Sequence, residues 1–258
     1  MAEHKVRNLK ESNKVTRIIV PVSGGKDSQV CLKLAVQEHG KENVRGVFCD
    51  TKFEHPLTYS HLDYMESLYG VKIDRINNGS VEDLVLKYKR FPSPRVRFCT
   101  DRLKIRTSKE YYKRAAEDGA FEVWYGMRSD ESIQRAKRYA DISADSLYMP
   151  HEVLPSSYPK YFGQKLGILF RLPILDWTER DVFEELNGEE NPLYRQGERR
   201  VGCFPCLASS DRAKASSFNH DAFGESQYKK VLWLEETTGA SVWSKKVDDK
   251  QGCLICSI

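Results

Sequence analysis

The sequence lacks any apolar run long enough to cross a bilayer, and its polar N-terminal residues contain no apolar segment of the kind found in signal peptides. We therefore expect a cytoplasmic protein without a membrane partner. Internal repeats, coiled-coil heptads and low-complexity tracts are also missing, which excludes repeat and fibrous architectures. The 258 residues, 40% hydrophobic and 30% charged, suffice for one elaborated domain with a sizeable core.

Charge of one sign is not in large excess either. The chain has 41 Lys and Arg against 37 Asp and Glu, which leaves a net charge of +4. That balance permits a DNA or RNA partner without requiring one, since only local clustering creates a basic patch. Two clusters contain the residues Lys87, Lys89, Arg90, Arg95, Arg97, Arg102, Lys104 and Arg106, and then Arg128, Arg135, Lys137 and Arg138. Such runs are either a solvated surface or a phosphate-binding surface, and the sequence leaves both interpretations open.

A glycine-rich turn with the sequence SGGKDS, at 23–28, lies between an apolar strand predicted at 17–22 and a largely buried helix predicted at 29–38. Its two glycines let backbone amides approach an anion closely, and the helix N-terminus and Lys26 add positive charge. The spacing is not that of a Walker A motif, which has four residues between its first glycine and the Gly-Lys pair. An ordinary tight turn is the alternative, but the combination of features favours a phosphate site.

Strands and helices alternate along the rest of the chain. Further strands are predicted at 44–49, 71–76, 122–125 and 170–175, and helices at 56–69, 81–89, 100–116 and 179–186. This alternation predicts an α/β fold, a doubly wound parallel sheet with right-handed crossovers. An irregular stretch at 142–166 predicts an insertion or flap. We expect a nucleotide-binding α/β domain at 1–190 and, packed on it, a cysteine-containing C-terminal subdomain at 191–258.

Small or polar residues follow four of the predicted strands: Ser23, Asp50, Asn77 and Gly126. Ligands of parallel sheets bind beyond the carboxyl ends of the strands, so we expect these residues to surround one crevice. Asp50 would contact a ribose or adenine edge, or else serve as a turn acid. Arg128, just after Gly126, is placed by the predicted topology to meet an anionic substrate.

Seven cysteines are present in a chain expected to reside in a reducing compartment, which favours metal, cluster or redox chemistry over disulfides. Two C-x-x-C pairs occupy 203–206 and 253–256, and Cys99 stands alone. The two pairs could hold a structural zinc, although their separation exceeds the usual zinc-ribbon spacing. A thiolate-bound iron–sulfur cluster is the competing interpretation, and the residues alone do not choose between them.

The turn at 23–28 resembles the PP-loop of the adenine nucleotide alpha-hydrolase superfamily, whose members bind ATP and cleave it between the α and β phosphates. The chain from about 17 to 206 resembles the phosphoadenosine phosphosulfate (PAPS) reductase family, especially its small relatives in phages and mobile elements. The matching stretches are RFPS at 90–93, FCT at 98–100, LK at 103–104, GMR at 126–128, DES at 130–132, PIL at 173–175, WT at 177–178, DV at 181–182, NPLY at 191–194 and VGCFPC at 201–206.

The resemblance implies that the pyrophosphate part of ATP, with Mg²⁺, is held by the loop residues Ser23, Gly24, Gly25, Lys26, Asp27 and Ser28. We expect catalytic roles for Lys26, Asp27 and Arg128, and nucleotide contacts from Asp50 and Gly126. Asp27 is a candidate Mg²⁺ ligand, or otherwise an acid of the first helical turn.

The same resemblance makes Cys99, Cys203 and Cys206 ligands of a [4Fe-4S] cluster, with zinc as the alternative metal. Cluster-bearing reductases of the family have two adjacent cysteines where this chain has Phe98 and Cys99. One ligand is therefore missing. The resemblance leaves open a three-cysteine cluster with an open iron, or a fourth ligand from Cys253 or Cys256.

The intact loop separates this chain from true sulfonucleotide reductases, which generally carry a degraded loop. The chain is more similar to the ATP pyrophosphatases of DNA phosphorothioation, which implies cleavage of ATP to AMP and pyrophosphate for sulfur transfer, with a sulfur donor protein and a nucleic acid as candidate partners. One alternative is a reductase of PAPS or adenylyl sulfate that releases sulfite with thioredoxin, through Cys253 or Cys256. Another is a non-catalytic nucleotide-binding regulatory module.

Overall fold

A computed structural model describes residues 17–244. Its strands are β1 (Ile18–Val22), β2 (Val44–Asp50), β3 (Ile73–Asn77), β4 (Phe121–Trp124) and β5 (Ile168–Arg171). Its α-helices are α1 (Lys26–His39), α2 (Pro56–Tyr69), α3 (Val81–Tyr88), α4 (Arg106–Ala115), α5 (Ile133–Arg138), α6 (Pro150–Val153), α7 (Tyr161–Gln164), α8 (Glu179–Leu186), α9 (Pro192–Arg195), α10 (Asp211–Phe218) and α11 (Ala222–Thr238). A π-helical turn, Thr100–Ile105, runs directly into α4.

All five strands are parallel, and their order across the sheet is β3-β2-β1-β4-β5. The predicted doubly wound α/β fold is therefore confirmed. The chain builds outward from β1 to β3 on one side and then crosses to β4 and β5 on the other. This reversal next to β1 opens a crevice at the carboxyl ends of β1 and β4, which is where such sheets bind ligands.

Several boundaries differ from those expected from the sequence. Helix α1 begins three residues before 29, because Gly25 is its N-cap and the loop passes directly into the helix. Strand β5 ends at Arg171, whereas the sequence predicted a strand at 170–175. Residues 172–175 form a buried turn closed by a hydrogen bond from the Leu175 amide to the Leu172 carbonyl (3.1 Å). The apolar composition of these residues correctly predicted that they are buried, but composition alone does not distinguish a strand from a buried turn.

The two faces of the sheet bury separate cores, because successive side chains of a strand point to opposite sides. Ile18 and Val20 of β1 pack with residues of α1, α2 and α8 on one face. Ile19, between them, packs with residues of α4, β5 and the 142–166 segment on the other. A third cluster joins α3 to α11 through Val85, Val231 and neighbouring apolar residues.

The 142–166 segment is a packed cover over the β5 edge of the sheet. Tyr148 and Phe170 exchange two backbone hydrogen bonds of 2.8 and 2.9 Å in antiparallel fashion, which pairs the open side of β5. Tyr158 and Phe162 from this segment are buried in the core of that face. The segment thus protects an edge strand that would otherwise be free to pair with another chain. Within 17–244, no helix has the length and apolarity required to span a membrane.

Trp124 connects several parts of this core, so its removal is expected to destabilise the fold strongly. The side chain is fully buried, its indole nitrogen donates to Glu122 (2.9 Å), and the Arg171 guanidinium lies 4.4 Å from the ring centroid. Trp124→Ala should lower the free energy of unfolding by about 3–5 kcal/mol in urea denaturation followed by circular dichroism.

Trp233→Ala is the matched control, because Trp233 on α11 is 46% exposed. Its effect should stay within about 0.5 kcal/mol, as for other surface substitutions. Similar losses in the two variants would show that Trp124 does not have this central role.

Candidate functional site

The glycine loop at 23–28 lies at the carboxyl end of β1 and forms the N-terminus of α1. Its shape is fixed by its two serines: the Ser23 amide donates to Ser28 Oγ (3.1 Å), and the Ser28 hydroxyl donates to the Gly25 carbonyl (2.8 Å). Gly24 has a φ of +75°, which favours glycine at that position. The loop is therefore a preformed turn with backbone amides at a helix N-terminus, an arrangement suited to an anion.

The space around the two glycines admits no side chain. A Cβ on Gly24 would lie 2.5 Å from the Thr58 methyl group, and one on Gly25 would lie 3.1 Å from the Tyr194 hydroxyl and 3.3 Å from the Val201 carbonyl. The hydroxyl of Thr58 is buried and has no hydrogen-bond partner among the described residues. A phosphate beside the loop could supply that missing partner.

The segment 191–201 covers the loop from outside the sheet. Asn191 is fully buried and its amide donates to the Gly24 carbonyl (3.1 Å). The Tyr194 hydroxyl accepts the backbone amide of Lys26 (3.1 Å), one of the N-terminal donors of α1. The segment thus orients the loop and satisfies one donor that would otherwise be free for a ligand.

Gly126 and Arg128 approach the loop from the end of β4, as expected from the topology. A Cβ on Gly126 would lie 2.6 Å from the Asp27 carbonyl oxygen, so only glycine lets the two backbones come this close. Arg128 is 3% exposed and donates from Nε to Asp27 Oδ1 (2.5 Å). Burial opposes its charge, yet the bond to Asp27 raises the pKa of Arg128 above its usual value. A permanent cation is therefore held beside the loop.

Lys26 is buried against α8. Its ammonium lies 3.1 Å from Glu179 and 3.5 Å from Asp27, and it lies 5.2 Å from the centroid of the Tyr194 ring. Burial lowers the pKa of Lys26, but the opposing effects of Tyr194, Asp27 and Glu179 outweigh burial and raise the pKa above its usual value, so the group stays charged. In this arrangement the ammonium is paired with Glu179, and a pyrophosphate would have to compete with that carboxylate.

Asp50 ends β2 and is enclosed by its neighbours. Its carboxylate accepts from the Lys52 amide and the Tyr59 hydroxyl, both at 2.8 Å, and pairs with the Lys52 ammonium at 2.6 Å. Burial raises the pKa of Asp50, but the bonds from Lys52 and Tyr59 outweigh burial and lower it. Asn77 donates to the Asp50 backbone carbonyl (2.8 Å), which ties the ends of β2 and β3 together.

A thiol centre lies next to this end of β2, and we define it by Cys99, Cys203 and Cys206. Burial raises the pKa of Cys99, and interaction with Cys206 raises it further. Burial raises the pKa of Cys203 to about 11, and Cys206 again contributes. Cys99 and Cys203 pack against the same apolar cluster although more than a hundred residues separate them, and Cys206 follows Cys203 by three residues, so the three thiols lie in one region.

Glu54 and Lys104 flank the thiol centre. The Cys203 sulfur lies 3.3 Å from the Thr51 hydroxyl and 3.7 Å from the Glu54 carboxylate. Interaction with Cys203 is the main factor that raises the pKa of Lys104, which keeps a cation beside the thiols. Glu54 was assigned no role from the sequence, since a lone acid gives no distinctive signal, and Lys104 was singled out only as part of a basic cluster and of the matching stretch at 103–104.

The described part of the chain contains no group of three or more His, Cys, Asp or Glu side chains arranged to hold a metal ion. The thiol centre therefore provides neighbouring thiols without a complete ligand set. Cys253 and Cys256, the candidates for a fourth ligand or a zinc site, lie outside the described residues. Cys31 and Cys49 are free thiols inside α1 and β2. Cys31 packs in the core as a small apolar group, whereas the Cys49 sulfur lies 3.3 Å from the Ser108 hydroxyl.

Three residues that contact the loop, but are distant from it in sequence, were not predicted to do so: Thr58, Asn191 and Tyr194. Asn191 and Tyr194 belong to a stretch that the family resemblance had singled out, at 191–194, but nothing local indicated a contact with residues 23–28. Thr58 lies in the first turn of α2 and had no distinguishing signal.

Comparisons with known proteins agree with this architecture. The model of the phosphoadenosine phosphosulfate reductase domain matches residues 17–209. An uncharacterized 37.8 kDa protein of Escherichia phage 186 is 30% identical over 280 residues, which cover 89% of this chain and 75% of that protein. An uncharacterized protein of Methanocaldococcus jannaschii is 30% identical over 194 residues, which cover 74% of this chain and 36% of that protein.

Two solved structures resemble the chain more distantly. A PAPS reductase from Candida auris in a phosphate complex has a TM-score of 0.48 and 15% identity, over 73% of this chain and 81% of that one. An FMN adenylyltransferase from Candida glabrata, bound to FMN and the ATP analogue AMPCPP, has a TM-score of 0.46 and 14% identity, over 72% of this chain and 53% of that one. Because the family model spans most of the chain, including the glycine loop, Arg128 and the thiol centre, this protein belongs to the phosphoadenosine phosphosulfate reductase domain family.

Proposed function

We propose that the protein is an ATP pyrophosphatase that cleaves ATP to AMP and pyrophosphate and so activates an acceptor for sulfur transfer. The observation that carries this proposal is the loop at 23–28, where two glycines pack closely against Thr58, Tyr194 and Val201 and hold backbone amides at the N-terminus of α1. A sulfonucleotide has no β and γ phosphates, so it gives no reason to retain such a loop. Free thiols at five described cysteines suit a cytoplasmic location, where disulfides are rare.

The proposed chemistry has two balanced steps. An acceptor oxygen attacks the α phosphorus of ATP, the bond to the β phosphate breaks, and pyrophosphate leaves. The thiocarboxylate sulfur of a donor protein then attacks the acceptor atom that carries this oxygen, and AMP departs with the oxygen. Water hydrolyses the remaining acyl–sulfur bond, which frees the donor as a carboxylate and leaves the sulfur on the acceptor. The first step places negative charge on the leaving pyrophosphate, and donors fixed in advance at the loop would stabilise that charge.

Each charged residue of the site has a role in this proposal. Arg128, already buried beside the loop, would contact the α phosphate, and Lys26 would exchange Glu179 for the pyrophosphate. Asp27 would be a ligand of Mg²⁺, which prefers carboxylate and phosphate oxygens. Asp50 would contact the ribose or adenine through the hydrogen-bonding positions of its carboxylate that Lys52 and Tyr59 do not occupy.

The proposal includes a [4Fe-4S] cluster bound by Cys99, Cys203 and Cys206, with a fourth ligand from Cys253 or Cys256 or an open iron. Zinc held by Cys203, Cys206, Cys253 and Cys256 is the alternative. The position of Cys99 and Cys203 at one apolar cluster supports the first ligand set. When bound, the cluster would supply thiophilic iron, and Lys104 would offset the negative charge of the thiolates.

A second candidate is reduction of PAPS or adenylyl sulfate with release of sulfite, and the description of the matching family favours it. Under this alternative, thioredoxin would be the partner and Cys253 or Cys256 the attacking thiol. Sulfite release from PAPS in the presence of thioredoxin, without measurable ATP affinity, would establish this alternative. ATP binding without any turnover, with all partners present, would instead favour a non-catalytic nucleotide-binding module.

We expect the protein to convert ATP to AMP and pyrophosphate in the presence of magnesium. The reaction should be slow with the protein alone and faster when a sulfur donor or acceptor is added.

Gly24→Ala should lower kcat/KM for ATP by about 10–100-fold, because the added methyl group displaces the loop from its position. Pyrophosphate release measures this directly.

Gly239→Ala is the matched control for this substitution. Gly239 has a similar φ of +69° but no atom within 4 Å of its Cβ position, so it reproduces the backbone strain without the clash. Equal activity in Gly24→Ala and wild type would contradict the assignment of the loop.

Lys26→Ala should weaken binding of a non-hydrolysable ATP analogue by about 1.5–3 kcal/mol, as expected for loss of a charge-assisted contact. Titration calorimetry provides the measurement. Lys33→Ala is the control, since Lys33 lies on the same helix and pairs with Glu185 of α8 at 3.0 Å, much as Lys26 pairs with Glu179 at 3.1 Å. If both variants bind the analogue as tightly as the wild type, Lys26 serves only the contact between α1 and α8.

The metal content tests the thiol centre. Protein purified without oxygen should contain iron and sulfide and show the broad visible absorbance of a cluster, and Cys99→Ser and Cys203→Ser should each lose both. Cys49→Ser should keep them, because the Cys49 sulfur contacts Ser108 at 3.3 Å and is assigned no ligand role. If the protein instead contains zinc, and the zinc is retained in Cys99→Ser but lost in Cys203→Ser, the zinc site is correct and the cluster is not.

A further inference from the structure

The most concentrated positive charge of the described chain lies at residues 87–98, which comprise the end of α3 and the turn that follows it. We call this segment the basic hairpin. Its five basic residues are Lys87, Lys89, Arg90, Arg95 and Arg97, and all five are exposed. None of them has an acidic partner among residues 17–244, whereas many other exposed cations do, such as Lys72 with Asp74 and Lys229 with Glu225. Unpaired cations gathered within eleven residues repel one another, so the segment is electrostatically suited to an anionic partner.

The backbone of the basic hairpin holds these charges outward. Ser93 and Val96 exchange two backbone hydrogen bonds of 3.1 Å, which close a tight turn between them. Phe91 and Pro92, just before the turn, are buried, and Phe91 anchors the turn to the cluster that joins α3 and α11. Arg95 and Arg97 therefore project from a turn of defined shape rather than from an unstructured loop.

Aromatic side chains are interleaved with the cations. Phe98 lies 4.9 Å from Tyr88 between ring centroids, the Arg90 guanidinium lies 5.7 Å from the Phe98 ring, and the Lys87 ammonium lies 5.9 Å from the Tyr88 ring. Cations that already lie against rings are partly ordered, so less conformational entropy is lost when they bind phosphate.

The chemistry of this surface fits a polynucleotide better than other polyanions. Arginine binds phosphate oxygens through two parallel bonds, and a row of exposed cations fits an extended chain of phosphates rather than one small enclosed anion. A membrane surface would also need apolar side chains to insert, yet Val96 is the only large apolar residue strongly exposed within the hairpin.

The basic hairpin leads directly into Cys99, the first residue of the thiol centre. We propose that the hairpin binds the phosphate backbone of a nucleic acid, and that the acceptor in the sulfur transfer is a nucleic acid held beside the thiols. The second half of this statement rests on the function proposed above, while the binding itself does not.

The test uses a short fluorescein-labelled oligodeoxynucleotide and the full chain, with binding followed by anisotropy at several salt concentrations. The hairpin variant is Lys89→Gln/Arg95→Gln/Arg97→Gln, and the control variant is Lys72→Gln/Lys113→Gln/Lys229→Gln. Each loses three positive charges, but the control residues all have acidic partners. The hairpin variant should bind at least about tenfold more weakly and lose about 2 from the slope of log K against log salt, since each contact to a single strand contributes about 0.7. The control variant should match the wild type.

Equal losses in the two variants would overturn the proposal, because net charge alone would then explain binding. So would the absence of binding by the wild type to DNA and RNA oligonucleotides, or hairpin-dependent binding only to anionic lipid vesicles or acidic peptides. Circular dichroism melting verifies that both variants fold.

Pyrophosphate release from ATP without nucleic acid separates this inference from the proposed function. The hairpin variant should retain that basal activity, since its three residues are assigned no role in the nucleotide site. If ATP is not cleaved but the oligonucleotide binds through the hairpin, the proposed reaction fails and the docking surface stands.

Discussion

Two side chains from one short segment, Asn191 and Tyr194, hold the backbone of the glycine loop, and the rest of the site depends on them. The Asn191 amide fixes the Gly24 carbonyl, and the Tyr194 hydroxyl fixes the Lys26 amide, so the start of α1 has a single orientation. The segment then continues through Val201 to Cys203, which contacts Thr51 and Glu54 at the end of β2. The loop and the thiol centre are thus connected by one stretch of chain.

Two cations of the site are buried against carboxylates that keep some exposure to solvent, and this pairing offsets the cost of removing the cations from water. Arg128 pairs with Asp27 and Lys26 pairs with Glu179, so two cations lie beside the loop while few of their atoms contact solvent. An incoming polyphosphate would replace carboxylate partners with phosphate oxygens instead of paying the full cost of desolvating these cations. The basic hairpin differs from this arrangement, because its cations are exposed and have no acidic partner among the described residues. The first arrangement suits a specific small ligand, and the second suits an extended, solvated polyanion.

The α/β fold could be predicted because its signals are local. Strand β1, the glycine loop and α1 are adjacent in sequence, and alternating strands and helices of this length have few other stable arrangements. The cap of α3 is equally local, since Ser80 and Asp83 are three residues apart and exchange reciprocal hydrogen bonds. Boundaries were less certain where burial and strand geometry give the same apolar signal, as at 172–175. The 142–166 segment looked irregular because its apolar side chains cover a sheet edge and follow neither the helical nor the strand period.

The sequence by itself determined the sheet, the position of the glycine loop between a strand and a helix, and the residues that follow each strand, because these depend on backbone preferences and short-range spacing. Only the tertiary structure decided which distant groups meet. It placed Thr58, Asn191 and Tyr194 on the glycine loop, paired Lys26 with Glu179, and brought Cys99 and Cys203 to one apolar cluster across more than a hundred residues. The physical reason is that such contacts arise when elements pack on a sheet, and packing is set by the whole core rather than by any local run of residues.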